Sequence, residues 1–223
     1  MRRSSSDNNL ITMWNPSSSI SEAYRTLRTN IQFSSIDRSF KTIMIASAQK
    51  HEGKSTTISN LAITYAQEGK KVLLIDANLR DPSLNQIFNQ MNRNGLSSVL
   101  ANQARWQDVV NETDVKNLSL ITSGPLPPNP SELLGSERME VLMTDLEAEY
   151  DLVLIDTPPL LAVTDGLIIS AHCDGVVMVV ASGKVDKQLV RKAKTSLEHV
   201  NARIIGSVLN KINNKDRKAA INY

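Results

Sequence analysis

The 223-residue chain balances 25 lysines and arginines against 23 aspartates and glutamates, and its formal net charge of +2 decides nothing about an acidic partner. An aromatic content of 4% argues against a β-sandwich or an aromatic-lined nucleic-acid module, and no nucleic acid is expected as a partner. A single cysteine, Cys173, excludes an internal disulfide and a multi-cysteine zinc site, and fits a reducing cytoplasm.

In chain order, residues 1–18 open polar and Ser-rich and are expected to be disordered or extended. They lack the apolar core of a signal peptide. Nowhere does the chain approach the roughly 18 apolar residues of a membrane helix, so a cytoplasmic chain is expected. Residues 19–33 carry Ile20, Ala23, Leu27 and Ile31 at helical spacing, with Ser19 or Ser21 as the cap.

Residues 42–47 read as a buried strand, 48–53 as a loop, and 54–67 as a helix closed by Gly69. Further apolar strands are read at 72–75, 118–121, 152–155, 175–181 and 204–209. Helical segments start from Ser131 or Ser136 and run to about Ala148, and another helix covers 187–199. Apolar strands alternating with helices predict one α/β domain over 19–212, with a mostly parallel sheet covered on both faces. Residues 213–223 are expected to form a flexible tail. Functional residues in such a sheet belong at the carboxyl ends of the strands, where 48–55, Asp76, Asp156 and Asn210 fall.

Residues 48–55, Ala-Gln-Lys-His-Glu-Gly-Lys-Ser, match the P-loop pattern except that Ala48 stands in the place of the first glycine. Loop N–H groups and the start of the next helix form a concave site for phosphates. Gln49, Lys50, His51, Glu52, Gly53, Lys54, Ser55 and Thr56 are therefore the candidate ATP-binding residues. Lys54 is placed to reach the β- and γ-phosphates, and the Ser55 hydroxyl to ligate Mg²⁺. Asp156 ends an apolar strand about 100 residues later, as a Walker B carboxylate does. Asp76 ends the strand at 72–75 and is a second candidate at the same sheet edge, for the metal or as a base, the alternative being a cap on the next helix.

Five stretches together resemble the bacterial tyrosine kinases that regulate capsule and exopolysaccharide synthesis, in their Firmicute form as a separate kinase chain. They are Ser21 to Arg28, which holds Glu-x-x-Arg-x-x-Arg; the P-loop; Leu74 to Arg80, similar to the Walker A′ motif; Ser123 to Leu134, rich in proline; and Asp156-Thr157-Pro158-Pro159. The proline-rich stretch separates the chain from MinD/ParA ATPases, and Asn210-Lys211 looks like their adenine-contacting pair. The resemblance implies Mg·ATP-dependent phosphorylation of tyrosine, with Lys54, Asp76 and Asp156 catalytic and Ser55, Asp76 and Asp156 at the metal.

It also implies a ring-shaped homo-oligomer through Glu22, Arg25 and Arg28, although a solvated helix face with an (i, i+3) ion pair would look the same. The implied partners are a membrane-embedded modulator that recruits the kinase to the inner face of the membrane, protein-tyrosine substrates and a cognate phosphatase. Three departures stand out. Lys50-His51 replaces Pro-Gly, Asn78 replaces an aspartate, and the tail offers one tyrosine, Tyr223, as phosphoacceptor in place of a cluster. They leave open a catalytically weak nucleotide-binding regulatory module, or a MinD/ParA-type ATPase.

Overall fold

The computed structural model describes residues 9–35 and 39–212. The chain runs α1 (Ile11–Trp14), α2 (Ser19–Phe33), β1 (Thr42–Ala46), α3 (Lys54–Gln67), β2 (Val72–Asp76), α4 (Leu84–Ile87), α5 (Leu96–Leu100), α6 (Trp106–Val109) and β3 (Val110–Glu112). It continues with β4 (Leu118–Ile121), α7 (Pro130–Leu134), α8 (Glu137–Glu149), β5 (Leu152–Asp156), α9 (Asp165–Ser170), β6 (Gly175–Ala181), α10 (Lys187–His199) and β7 (Ile204–Asn210).

The sheet order is β3-β4-β2-β5-β1-β6-β7, and every neighbouring pair is parallel except β3 with β4. The six strands read from sequence are all present. β3 is the addition, a short antiparallel edge strand too polar to stand out as an apolar run. Alternation along the strands divides the core into two layers. Met44, Val153 and Ile155 pack on one face with Met139, Leu142 and Leu146 of α8. Ile43, Ile45, Leu74 and Leu154 pack on the other with Ile58, Leu61 and Tyr65 of α3.

The helix caps differ in detail from the sequence reading. Ser18, not Ser19 or Ser21, caps α2 by accepting the Ser21 N–H at 3.1 Å. The Ser21 hydroxyl turns back to the Asn15 carbonyl at 2.7 Å. Pro130 opens α7, where its missing N–H costs nothing, and Ser136 precedes α8.

Within the first 18 residues, expected to be disordered or extended, Ile11–Trp14 forms a helical turn clasped to α3. Residues 1–8 lie outside the described part. Asn60, buried on α3, accepts from the Thr12 N–H (3.0 Å) and hydroxyl (2.8 Å), and its amide donates to the Asn9 and Thr56 carbonyls. Asn60→Ala is expected to remove about 1–3 kcal/mol by leaving these groups without partners. A urea titration checks this, and an unchanged midpoint would contradict it. Among the described residues no helix is long and apolar enough to cross a membrane.

Candidate active site

β1 is central in the sheet, and its carboxyl end delivers the chain into the loop 47–53 beneath the start of α3. Ser47 fixes the entry, its hydroxyl donating to the Gln49 carbonyl at 2.7 Å and accepting from Lys54 Nζ at 3.1 Å. Two residues of the loop are left-handed, His51 at φ 61° and Gly53 at φ 98°. Histidine thus occupies backbone space usually left to glycine, as the Pro-Gly replacement foreshadowed, and it is among the residues that tolerate it.

Glu52 is buried, and its carboxylate accepts the N–H groups of Gln49 (2.7 Å) and of Ala181 at the end of β6 (3.1 Å). The loop is also held from behind by β7. Asn210 donates to the Glu52 carbonyl at 2.9 Å, and Lys211 Nζ to the His51 carbonyl at 2.6 Å. A Cβ on Gly53 would stand 2.2 Å from Asn210 Nδ2. Gly53→Ala therefore adds strain at a positive φ and displaces that clip, a destabilisation of about 1–3 kcal/mol. Thermal unfolding should show the loss, and a full-strength nucleotide affinity in this variant would count against the loop geometry.

The two strand-end carboxylates meet as register partners, Asp76 of β2 opposite Asp156 of β5. Both are fully buried. Burial, and then the charge of Asp156, pushes Asp76 up to about 7. Burial likewise raises Asp156 to about 6, against the downward pull of Lys54 and of the Ser55 hydroxyl. Lys54 itself is lowered by burial, opposed by Asp156 and Glu52.

Ser55 Oγ donates to Asp156 Oδ2, while Asp156 Oδ1 is buried with no hydrogen-bond partner. An orphaned carboxylate oxygen beside a hydroxyl and a second carboxylate fits a hard divalent cation. Among the described residues no group of three or more His, Cys, Asp or Glu could hold a metal ion by itself. Asp76 also realises the capping alternative. Its Oδ2 accepts the N–H groups of Ser83 (3.0 Å) and Leu84 (2.9 Å) at the start of α4, and its Oδ1 accepts that of Asn78 (3.2 Å).

Lys54 and Ser55 border a cleft of about 850 Å³, lined also by Thr56, Lys50, His51 and Asn210, while Asp76 and Asp156 lie buried behind its wall. The sequence reading missed Asp165. Fully buried at the start of α9, it accepts Arg80 Nε (2.8 Å), Arg80 Nη2 (3.1 Å) and the Ser131 hydroxyl (2.9 Å). That triad ties the Walker A′ loop to the proline-rich stretch. Its sequence signal was an Asp-Gly pair eight residues after Thr157, too weak to single out.

Glu22, Arg25 and Arg28 lie on α2, away from the loop. Arg25 pairs with Glu22 at 2.7 Å and donates to the Pro16 carbonyl. Arg28 donates to the Thr64 carbonyl at 2.7 Å, ten residues along α3 from Lys54. Tyr65 and Tyr150 are buried, and burial raises the Tyr24 hydroxyl, in keeping with structural roles. Tyr223 lies outside the described residues.

The model of an AAA domain family matches residues 40–209. The chain is 47% identical over 209 residues to tyrosine-protein kinase YwqD of Bacillus subtilis, covering 94% of this chain and 88% of that protein. The crystal structure of the chimerical protein CapA2B2 superposes with a TM-score of 0.89 at 42% identity, covering 92% of this chain and 90% of that one. The septum site-determining protein MinD of Pyrococcus horikoshii, complexed with Mg-ADP, shares the fold at a TM-score of 0.67 and 22% identity, over 82% of this chain and 76% of that one. With family-level identity along nearly its whole length, the chain belongs to the bacterial tyrosine kinases of the capsule and exopolysaccharide type.

Proposed function

We propose that this chain uses ATP and Mg²⁺ to phosphorylate tyrosine, its own Tyr223 among the acceptors, and so regulates exopolysaccharide or capsule synthesis. The observation that carries the reading is the buried Asp156, with one oxygen on the Ser55 hydroxyl and the other unpartnered, next to Lys54 in a P-loop. Loop N–H groups and the buried Lys54 bind the phosphates, the lysine in surroundings where its charge counts for more than in water. Ser55, Asp156 and Asp76 hold the cation, which when bound supplies positive charge to the terminal phosphates. Asp76, fixed by backbone donors, keeps the loop 77–83 against the cleft and acts on the side of the incoming hydroxyl. Asn210 borders the cleft and is assigned to the nucleotide's base.

A ring of copies through Glu22, Arg25 and Arg28 is part of the proposal, supported by the motif on α2. So are a membrane-embedded modulator that recruits the kinase to the inner face of the membrane and a cognate phosphatase, both supported by family membership. A second reading, a regulatory module with weak catalysis, is favoured by Asn78, whose amide turns to the backbone of Asp81 and brings no charge to the metal. Incubation with Mg·ATP and the modulator's cytoplasmic tail, read by anti-phosphotyrosine detection on wild type and Tyr223→Phe, tests these readings. Signal in the wild type and its loss in Tyr223→Phe are expected. Signal kept in Tyr223→Phe overturns the acceptor, ATP binding without signal favours the regulatory module, and phosphate release without phosphotyrosine favours an ATPase.

A further inference from the structure

Lys50 and Asn78, two departures from the pattern the sequence resembles, converge on Asp81, and all three line the cleft. Lys50, in the phosphate loop, pairs through Nζ with Asp81 Oδ2 at 3.1 Å, and Asp81 belongs to the loop that follows β2. Both residues line the cleft. Asp81 is held in place by Asn78, whose Nδ2 donates to the Asp81 carbonyl at 2.5 Å and whose Oδ1 accepts the Asp81 N–H at 3.2 Å. An amide can do both, whereas an ionised aspartate has no proton to donate. The asparagine at 78 thus anchors the partner of the lysine at 50.

The pair is poised for exchange. Its side chains are 60% and 67% exposed, so solvent weakens the attraction and separating them costs little. The Lys50 ammonium is a compact charge on a flexible stem, while Lys54 is buried and fixed on Ser47. Lys50 and Asp81 also sit close enough to Lys54 to act on its charge in opposite senses, which places both at the phosphate site.

We infer that the Lys50–Asp81 pair is an exchangeable strap, and that Lys50 leaves Asp81 for the terminal phosphate of a nucleoside triphosphate. Lys50 is then a specificity-determining residue favouring triphosphate over diphosphate. A terminal phosphate group offers several anionic oxygens where Asp81 offers one carboxylate, so the triphosphate wins the lysine. A diphosphate leaves Lys50 on Asp81 and the strap closed. The inference rests on the nucleotide-site reading above.

Titration calorimetry with Mg·ADP and with a non-hydrolysable Mg·ATP analogue, on wild type, Lys50→Ala, Asp81→Asn and the double variant, tests it without turnover. Lys50→Ala should bind the triphosphate analogue about tenfold more weakly and ADP nearly as well as the wild type. Asp81→Asn should bind the triphosphate analogue about threefold more tightly, since its lysine is already released. The double variant should match Lys50→Ala, and the differences should shrink with added salt. Equal weakening of both nucleotides in Lys50→Ala, or no tightening in Asp81→Asn, overturns the strap while the nucleotide site stands. A wild type that binds neither nucleotide overturns both.

Discussion

Lys54→Ala is expected to lower phosphotyrosine formation by at least about 100-fold, the usual consequence of removing one preorganised charge from a phosphate site. Its ammonium is buried, hydrogen-bonded to Ser47 and close enough to Asp156 to feel its charge. The same substitution changes how metal-free stability depends on pH. Asp156 is raised from 3.8 to about 6 in the fold, so the unfolded chain loses its proton first and stability falls as pH rises between those values. Lys54 restrains that rise. Without it Asp156 keeps its proton to higher pH, and the loss continues further. In EDTA the variant should lose melting temperature relative to wild type as pH rises above about 6. Parallel curves would show that Lys54 and Asp156 are not coupled as the geometry requires.

Asp156→Asn should separate catalysis from stability in the opposite way. An amide oxygen can still accept the Ser55 hydroxyl, while the NH₂ takes the place of the unpartnered Oδ1 and brings no charge to a cation. Mg²⁺-dependent phosphorylation should fall by about two to three orders of magnitude. Because a buried ionisable group is replaced by a neutral one, the metal-free variant should melt above the wild type near pH 8. Lower activity together with a lower melting temperature would mean that Asp156 serves chiefly to hold the fold.

Much of this architecture was legible because apolar strands and long helices impose their periods on the sequence. The helices α2, α3 and α10 occupy the residues their spacing predicts, and each strand-end carboxylate falls on the expected sheet edge. The four-residue helices α1, α4 and α6 left no mark, since one turn is too short to display a 3.6-residue repeat. β3 escaped because an edge strand needs no apolar run. Partnerships across the fold were hidden for a different reason. Arg80 and Asp165 lie 85 residues apart, and the clip from Asn210 to Glu52 spans 158, separations that no local pattern encodes. The P-loop motif marked the candidate phosphate loop but gave no hint that the last strand holds that loop in shape.

Asn9 and Lys211, near the two ends of the described chain, both border the cleft. A dye pair placed there would flank the cleft, and Lys211 is tied to the candidate phosphate loop through the His51 carbonyl, so a change in that loop should reach one of the dyes. Ile212→Cys, 38% exposed, offers one attachment point next to the clip. The native Cys173, its thiol pushed up by burial, should compete poorly for the label. The chain thus carries the layout of a fluorescent reporter of its own cleft, and titration with Mg·ATP should change the transfer efficiency between the dyes.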